Sequence, residues 1–175
     1  MKRWLFWVPL LVFVLVIGLA AGGLFRPADR AVKSALVGKA LPNFTLPAIL
    51  PDKPALASAS FNDGQPRLIN VFASWCVPCA AEAPQLAKLK QAGVRIQGIA
   101  IRDTGPAIKE FLSRNGDPYE AIGSDPESSV QFALGSSGVP ESFVIDGRGK
   151  IVLQHIGDIR AEDVPSIIAA VRGAR

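Results

Sequence analysis

The chain has 175 residues, of which 49% are hydrophobic and 19% charged, and its formal net charge is +4. This length suffices for one well-cored domain with an extension and is too short for two large domains. Residues 1–34 contain five Lys or Arg and one Asp, whereas residues 35–175 contain fourteen charges of each sign, so the excess positive charge lies wholly at the N-terminus. A neutral globular part without a basic cluster excludes nucleic acid as the expected partner.

The N-terminal segment predicts a membrane anchor. After Lys2 and Arg3, an uncharged apolar run covers residues 4–24. As a helix, this run of about 21 residues spans roughly 30 Å, the thickness of a bilayer core. The alternative is a cleaved signal peptide with small residues at 20–22, although such peptides have shorter apolar cores of about 7–15 residues. The early charges favour a cytoplasmic N-terminus, which places the rest of the chain outside the membrane.

The apolar pattern of the remaining chain predicts alternating strands and helices. The near-continuous run at 67–73 is typical of a central strand buried on both faces. Pro84 is expected to kink its helix, and Asp125 is expected to be the N-cap of a helix with Pro126 as its first residue. Residues 47–65 predict a surface loop with at most a brief strand near Phe61. The predicted strands are 43–46, 67–73, 94–101, 119–122, 142–146 and 150–155, and the predicted helices are 79–91, 104–114, 126–134 and 161–172. The three predicted parts are an anchor at 1–25, a tether at 26–40 and a folded domain at 41–175.

The only two cysteines, Cys76 and Cys79, follow the predicted central strand and open a predicted helix. A sulfur at a helix N-terminus lies beside unpaired N–H groups and the positive end of the helix dipole, and both stabilise a thiolate. Pro78 suits the first helical turn, where its missing N–H costs nothing. The pattern therefore predicts a dithiol/disulfide redox centre in which Cys76 attacks and Cys79 resolves.

Three other interpretations of the cysteine pair have less support in the sequence. A structural zinc site needs about four ligands, and His155 is the only histidine that could add to the two cysteines. A c-type haem site needs His directly after the second cysteine, where this chain has Ala80. A purely structural disulfide would close a loop of only about four residues and would constrain the unfolded chain little. We therefore expect no metal and no cofactor other than the redox-active disulfide.

The predicted elements run β, α, β, α, β, α, then a β-hairpin, then α, which predicts an α/β fold with a mixed sheet flanked by helices. With a Cys-x-x-Cys opening the first long helix, this order resembles thioredoxin. Pro140 then lies where thioredoxin-like folds hold a cis proline beside the disulfide. The alternative is an ordinary trans proline before a strand, since cis X-Pro bonds are a minority of about 5–6% in folded proteins.

Three segments resemble the membrane-anchored CcmG/DsbE family of thioredoxin-like proteins that act in cytochrome c maturation. They are residues 75–82, 138–146 and 155–158, and the resemblance extends over 36–175 and the anchor. It implies a periplasmic domain, held by a single inner-membrane span, that keeps the cysteines of apocytochrome c reduced or resolves their mixed disulfides so that haem can be attached. The implied partners are apocytochrome c or other maturation proteins. The resemblance also implies a membrane thiol transporter as the electron donor.

The resemblance assigns roles to individual residues. It implies that Cys76 and Cys79 are the active-site cysteines and that Pro140 is the cis proline. The residues expected to support this site are Trp75, Pro78, Glu82, Val139, Pro140 and Glu141. Trp75 is expected to pack beside the disulfide and shield it. Some family members carry a tyrosine where this chain has Ser137, so the role of that ring does not carry over.

Two carboxylates suggest the redox direction. Thioredoxin has a buried aspartate six residues before its first cysteine, but this chain has Asn70, whose amide cannot accept a proton from Cys79. Glu82 lies one helical turn beyond Cys79 and is the nearest carboxylate that could do so. Glu141 follows Pro140 and is expected near the sulfurs. For both, a solvated surface position is the alternative. Negative charge near the pair disfavours the thiolate, which favours a reductant.

Other functions remain open on the sequence alone. A disulfide-forming oxidase of the same fold would differ in its reduction potential. A tethered binding module without redox turnover would not need Cys76. A peroxidase is disfavoured, because no lone cysteine lies in a Thr/Pro-rich context.

Overall fold

The computed structural model describes residues 7–24 and 36–174, and the chain divides into two compact units at 1–32 and 33–175. In the first unit, α1 covers Val8–Leu24, and the side chains described at 7–18 are exposed. Within the described ranges, no helix is both long and apolar enough to cross a membrane. The start of the expected span at Trp4 and most of the expected tether lie outside these ranges. The anchor therefore stays a prediction.

The second unit contains a five-stranded mixed sheet with the strand order β5-β4-β3-β6-β7. Its strands are β3 Arg67–Phe72, β4 Ile96–Ile101, β5 Ala121–Asp125, β6 Glu141–Ile145 and β7 Ile151–Ile156. A separate antiparallel pair is formed by β1 Thr45–Leu46 and β2 Leu56–Ala57. The helices are α2 Val77–Gln91, α3 Gly105–Asn115, α4 Ser129–Ala133 and α5 Val164–Gly173. The order of strands and helices predicted from the sequence is confirmed, and the fold is thioredoxin-like.

Strand β3 is the centre of this sheet. It pairs in parallel with β4 and antiparallel with β6, and all six of its residues are buried, as are all six of β4. A mostly apolar run suits this position, because side chains on both faces of a central strand lose their contact with water. Its two polar residues, Arg67 and Asn70, are buried with hydrogen-bond partners. The carboxyl end of β3 delivers residues 73–76 to the start of α2, which continues as one helix through Pro84.

The start of α4 differs from the prediction. Asp125 is the last residue of β5 and not a helix N-cap, and the helix begins at Ser129, three residues later than expected, after Ser128 in a left-handed conformation with φ 58°. The Asp125 carboxylate still accepts hydrogen bonds from the N–H groups of Ser129, Val130 and Gln131 at 2.9–3.0 Å. A carboxylate from outside the helix therefore satisfies the first N–H groups, as a capping side chain would.

Residues 47–65 differ from the expected surface loop, because the segment contains core residues, a strand and a 3-10 helix. Leu56 and Phe61 are buried in the core, and a 3-10 helix at Ser58–Phe61 replaces the brief strand expected near Phe61. The β1-β2 pair packs over β5 at Gly123, where an added Cβ would lie 2.7 Å from the Cβ of Leu46. The segment is rich in Pro and Ser, so its few apolar residues gave no periodic pattern to reveal the packing.

Candidate functional site

The two cysteines form a disulfide at the end of β3, with their Cα atoms 5.3 Å apart. Cys76 is the N-cap of α2, and its Sγ accepts a hydrogen bond from the Cys79 N–H at 3.2 Å. Pro78 lies in the first turn, where it leaves no N–H unpaired. The first sulfur thus lies at a helix N-terminus, as the sequence predicts, where a thiolate is stabilised.

The loop that carries Cys76 is held by the end of the neighbouring strand. The Asp103 carboxylate accepts hydrogen bonds from the backbone N–H of Ser74 at 2.6 Å and from its hydroxyl at 3.0 Å. The Trp75 indole donates to the carbonyl oxygen of Arg102 at 3.3 Å. Because β3 and β4 are parallel, their carboxyl ends meet at one edge of the sheet, and this geometry explains why Asp103 reaches the loop.

The Val139-Pro140 peptide bond is cis, as its position in the sequence predicts. Pro140 is buried and directly precedes β6, whose first residue Glu141 pairs with Val71 of β3. This register places Pro140 at the end of β3 that leads to the disulfide. Its carbonyl oxygen accepts a hydrogen bond from the Gly157 N–H at 3.1 Å, while Val139 is half-buried against the core.

Trp75 is an exposed side chain on the loop that carries Cys76. Its side chain is 57% exposed, and Val77, on the other side of Cys76, is 80% exposed. The sulfur-bearing residues themselves are buried, with exposed fractions of 5% for Cys76 and 2% for Cys79. The indole is drawn to the surface by its hydrogen bond to the Arg102 carbonyl. The buried Cys76 is therefore flanked in the sequence by two exposed apolar side chains.

Behind the disulfide, Glu82 is buried, with only 1% of its side chain exposed. One carboxylate oxygen accepts from Asn70 Nδ2 and the other from the backbone N–H of Ile159, both at 2.9 Å. The solvated position considered from the sequence is therefore wrong. Glu82 and Cys79 are one turn apart on α2, and both face the core.

The pKa of Glu82 is raised from its ordinary value of 4.5 to about 7. Burial is the main cause, because it disfavours the charged form, and the nearby charge of Asp158 adds to it. The hydrogen bonds from Ile159 and Asn70 act in the opposite direction and limit the rise. A carboxyl group with this pKa exchanges protons readily near neutral pH, as a general acid or base requires.

Asn70 connects Glu82 to two residues that the sequence did not single out. Its amide nitrogen also donates to the Ser142 hydroxyl at 3.1 Å, and its amide oxygen accepts from the Tyr119 hydroxyl at 2.7 Å. All four side chains are buried. They come from β3, α2, β6 and the segment before β5, so no local sequence pattern links them. The position of Ser142, two residues after the cis proline, was the only available signal.

Glu141 is also buried, so the solvated position considered from the sequence is wrong for it as well. The Ser136 hydroxyl at 2.7 Å, the Ser137 N–H at 2.9 Å and the Gln154 side-chain amide all donate to it. Among the described residues, its hydrogen-bond partners include neither cysteine. The first residue of β6 alternates away from Ser142, so its side chain enters the opposite layer. Glu141 therefore holds the loop before Pro140 in place.

The described part of the chain contains no group of three or more His, Cys, Asp or Glu side chains arranged to bind a metal ion. His155 lies on β7, where Nε2 is 3.2 Å from the carbonyl oxygen of Asp158 and 3.7 Å from the carboxylate of Asp163. His155 is therefore tied to the loop after β7.

Comparison with known proteins agrees with this geometry. The Redoxin family model matches residues 36–171. The chain is 37% identical to the thiol:disulfide interchange protein HelX of Rhodobacter capsulatus, over 94% of this chain and 92% of that protein. It is 39% identical to the thiol:disulfide interchange protein DsbE of Pseudomonas fluorescens biotype C, over 91% and 88%. The chain belongs to the CcmG/DsbE family.

Membership of the CcmG/DsbE family makes the protein a thiol:disulfide oxidoreductase. The fold agrees with solved structures as well. The crystal structure of a thiol:disulfide interchange protein of the thioredoxin family from Chlorobium tepidum TLS superposes with a TM-score of 0.62 at 24% identity. That superposition covers 81% of this chain and 99% of the other and shows the shared fold.

Replacing Glu82 by Gln should flatten the pH dependence of stability. In the folded protein the pKa of Glu82 is raised from 4.5 to about 7. Folding therefore favours the protonated side chain, which adds to the free energy of unfolding. This contribution is complete below pH 4.5 and is lost as the pH rises to about 7. The lost free energy of unfolding is on the order of 3 kcal/mol. Urea unfolding of the oxidised protein between pH 4.5 and 8 measures it.

The matched control is Glu127→Gln, which removes the same charge from an exposed position. This variant should keep the decrease in stability with rising pH. An equal decrease in wild type and Glu82→Gln would show that Glu82 does not carry its proton to neutral pH.

Proposed function

We propose that this protein is a periplasmic, membrane-anchored reductant of apocytochrome c cysteines in cytochrome c maturation. The observation that carries the proposal is the placement of the Cys76–Cys79 pair at the start of α2 with the buried carboxyl group of Glu82 one turn behind it. The substrate class, the direction and the location come from the CcmG/DsbE resemblance, and each is tested separately below.

The reduced form begins the reaction. The Cys76 thiolate attacks one sulfur of a substrate disulfide, which breaks that bond, forms a mixed disulfide and releases the other substrate sulfur as a thiolate that takes up a proton. Cys79 then attacks the Cys76 sulfur and releases the second substrate thiol. Two electrons have moved to the substrate, and the Cys76–Cys79 disulfide is formed. A dithiol of the membrane thiol transporter restores the reduced pair by the reverse exchange.

Glu82 assists the second step, in which Cys79 attacks the mixed disulfide. Cys79 is 2% exposed, so its thiol proton cannot pass directly to bulk water. The Glu82 carboxylate, whose pKa of about 7 leaves it partly ionised at neutral pH, accepts this proton and makes the Cys79 thiolate that resolves the mixed disulfide. Asn70 occupies the position of the thioredoxin aspartate but supplies a hydrogen bond and not a base.

The surface around the disulfide suits an extended polypeptide. The side chains of Trp75 and Val77 are exposed on either side of Cys76 in the sequence. Exposed apolar residues beside a reactive group are typical of a protein-binding surface. Two cavities of about 380 and 410 Å³ lie elsewhere, lined by residues such as Ile151 and Leu112, and neither is lined by a cysteine. An unfolded apocytochrome c segment could reach Cys76 without entering a pocket.

The carboxylate behind the pair also favours a reductant. An ionised Glu82 raises the free energy of a nearby thiolate, whereas a strong oxidant needs a stabilised thiolate in its reduced form.

A trapping experiment tests the substrate. The full-length Cys79→Ser variant keeps the attacking sulfur and cannot resolve, so it should accumulate a mixed disulfide with apocytochrome c through Cys76. Non-reducing electrophoresis and mass spectrometry of the linked peptides identify the partner. The Cys76→Ser control should give no such adduct. Partners drawn from many unrelated disulfide proteins, without apocytochrome c, would favour the broader oxidase.

A reduction potential tests the direction. In equilibrium with glutathione, the wild type should lie well below about −200 mV, whereas an oxidase lies near about −120 mV. Glu82→Gln removes a charge that destabilises the thiolate, so its potential should be less negative by about 10–30 mV. The difference should be larger at pH 8, where Glu82 is ionised, than at pH 5.5, where it is protonated. A difference independent of pH would assign the change to altered packing.

Removing residues 1–35 tests the anchor. A secreted form of 36–175 should fold and exchange disulfides with glutathione, because this part contains the complete sheet. Its cytochrome c maturation in cells should fall, because the encounter with a membrane thiol transporter is no longer confined to the membrane. Full maturation at native abundance would show that the anchor is dispensable.

A further inference from the structure

Tyr119 contacts the site without belonging to any of its motifs. Its side chain is buried, and its ring stacks on Phe72 of β3 with a centroid distance of 4.6 Å and an interplanar angle of 16°. Gly98 of β4 makes room for the ring, since an added Cβ there would lie 3.1 Å from it. The packing directs the hydroxyl to the amide oxygen of Asn70, 2.7 Å away.

The Asn70 amide has two possible orientations, which differ in what they present to Glu82. In the observed one, the NH₂ group faces the Glu82 carboxylate and the Ser142 hydroxyl, and the oxygen faces Tyr119. A flip would turn the amide oxygen toward the Glu82 carboxyl group. That group can donate a hydrogen bond to the oxygen only when it is protonated. The flip would also leave the Tyr119 hydroxyl proton without this acceptor in a buried position, which is costly. The Tyr119 hydroxyl therefore selects the orientation that donates to Glu82.

We propose that Tyr119 is a positioning residue for thiol–disulfide exchange, because its hydroxyl holds the Asn70 amide with the NH₂ group toward Glu82 and so keeps this carboxyl group able to accept a proton. The inference rests on the proposed function of Glu82 as the proton acceptor of Cys79. Tyr119 itself touches neither the sulfurs nor the substrate in this assignment. It acts through Asn70 alone.

The charged and titratable groups around Glu82 are few. Cys79 lies on the same helix, Tyr119 approaches from the segment before β5, and the charge of Asp158 acts from the loop after β7. His155 is linked to that loop through the carbonyl oxygen of Asp158. Burial and Asp158 raise the pKa of Glu82, and the Asn70 hydrogen bond is one of two interactions that lower it. If the Asn70 NH₂ group no longer donates to Glu82, the pKa of Glu82 should therefore rise further.

The test uses Tyr119→Phe in the full-length protein, which keeps the ring and its stacking on Phe72 and removes only the hydroxyl. The carboxyl carbon of Glu82, followed by NMR as a function of pH in the oxidised protein, should titrate about half to one pH unit higher than in the wild type. The pH midpoint of the reaction of the reduced protein with oxidised glutathione should move in the same direction.

Asn70→Ala provides the second arm. It should raise the titration midpoint of Glu82 by itself. Adding Tyr119→Phe should then cause no further shift, because the Asn70 amide through which Tyr119 acts is already absent. If Asn70→Ala does not fold, the Tyr119→Phe titration decides alone. A Glu82 midpoint in Tyr119→Phe within about 0.2 pH units of the wild type would overturn the proposal. So would an undiminished effect of Tyr119→Phe in the Asn70→Ala background.

The NMR titration is independent of the substrate, so its outcome is separate from that of the proposed function. A shifted Glu82 titration with an unshifted glutathione profile would contradict the role of Glu82 as proton acceptor while leaving its contact with Asn70 intact. A lower melting temperature without any shift in the titration would assign Tyr119 a purely structural role and reject the positioning role.

Discussion

The hydrogen bond between Asn70 and Glu82 joins the central strand to the helix that bears the cysteines, in a part of the domain from which water is excluded. A buried carboxyl group without such partners would be costly, whether charged or neutral. The two donors that the structure supplies, Asn70 of β3 and the Ile159 N–H of the loop after β7, make this position tolerable and fix α2 against the sheet. The same contacts set the proton affinity of Glu82, so packing and chemistry cannot be adjusted independently here.

Much of the site follows from short-range patterns. The apolar run of β3 predicts a central strand, and the spacing of Cys76, Pro78 and Cys79 predicts a helix that starts at the first sulfur; the structure has both. The cis bond before Pro140 follows from the order of the elements and the family resemblance. These features depend on residues within a few positions of one another, or on a topology with few alternatives.

The features that escaped prediction depend on tertiary contacts. Tyr119 and Ser142 meet Asn70 although they are 49 and 72 residues away in the sequence. The direction of the Glu141 side chain depends on which layer the first residue of β6 enters. Asp125 resembles an N-cap, but it caps α4 from the end of a strand, because Ser128 in a left-handed conformation turns the chain in between. The Trp75 side chain is largely apolar, but it is exposed, and its indole N–H donates to the carbonyl oxygen of Arg102.

The central position of β3 has a consequence for the order in which the protein is made. Its partner β6 lies 70 residues further along, as the pairing of Val71 with Glu141 shows, and the Ile159 N–H that binds Glu82 lies 77 residues beyond it. A ribosome that has produced the chain only as far as α3 has released both cysteines and the helix that bears them, but neither β6 nor the second hydrogen-bond donor to Glu82. The buried surroundings of the cysteine pair are therefore complete only when the last quarter of the domain has been synthesised and packed.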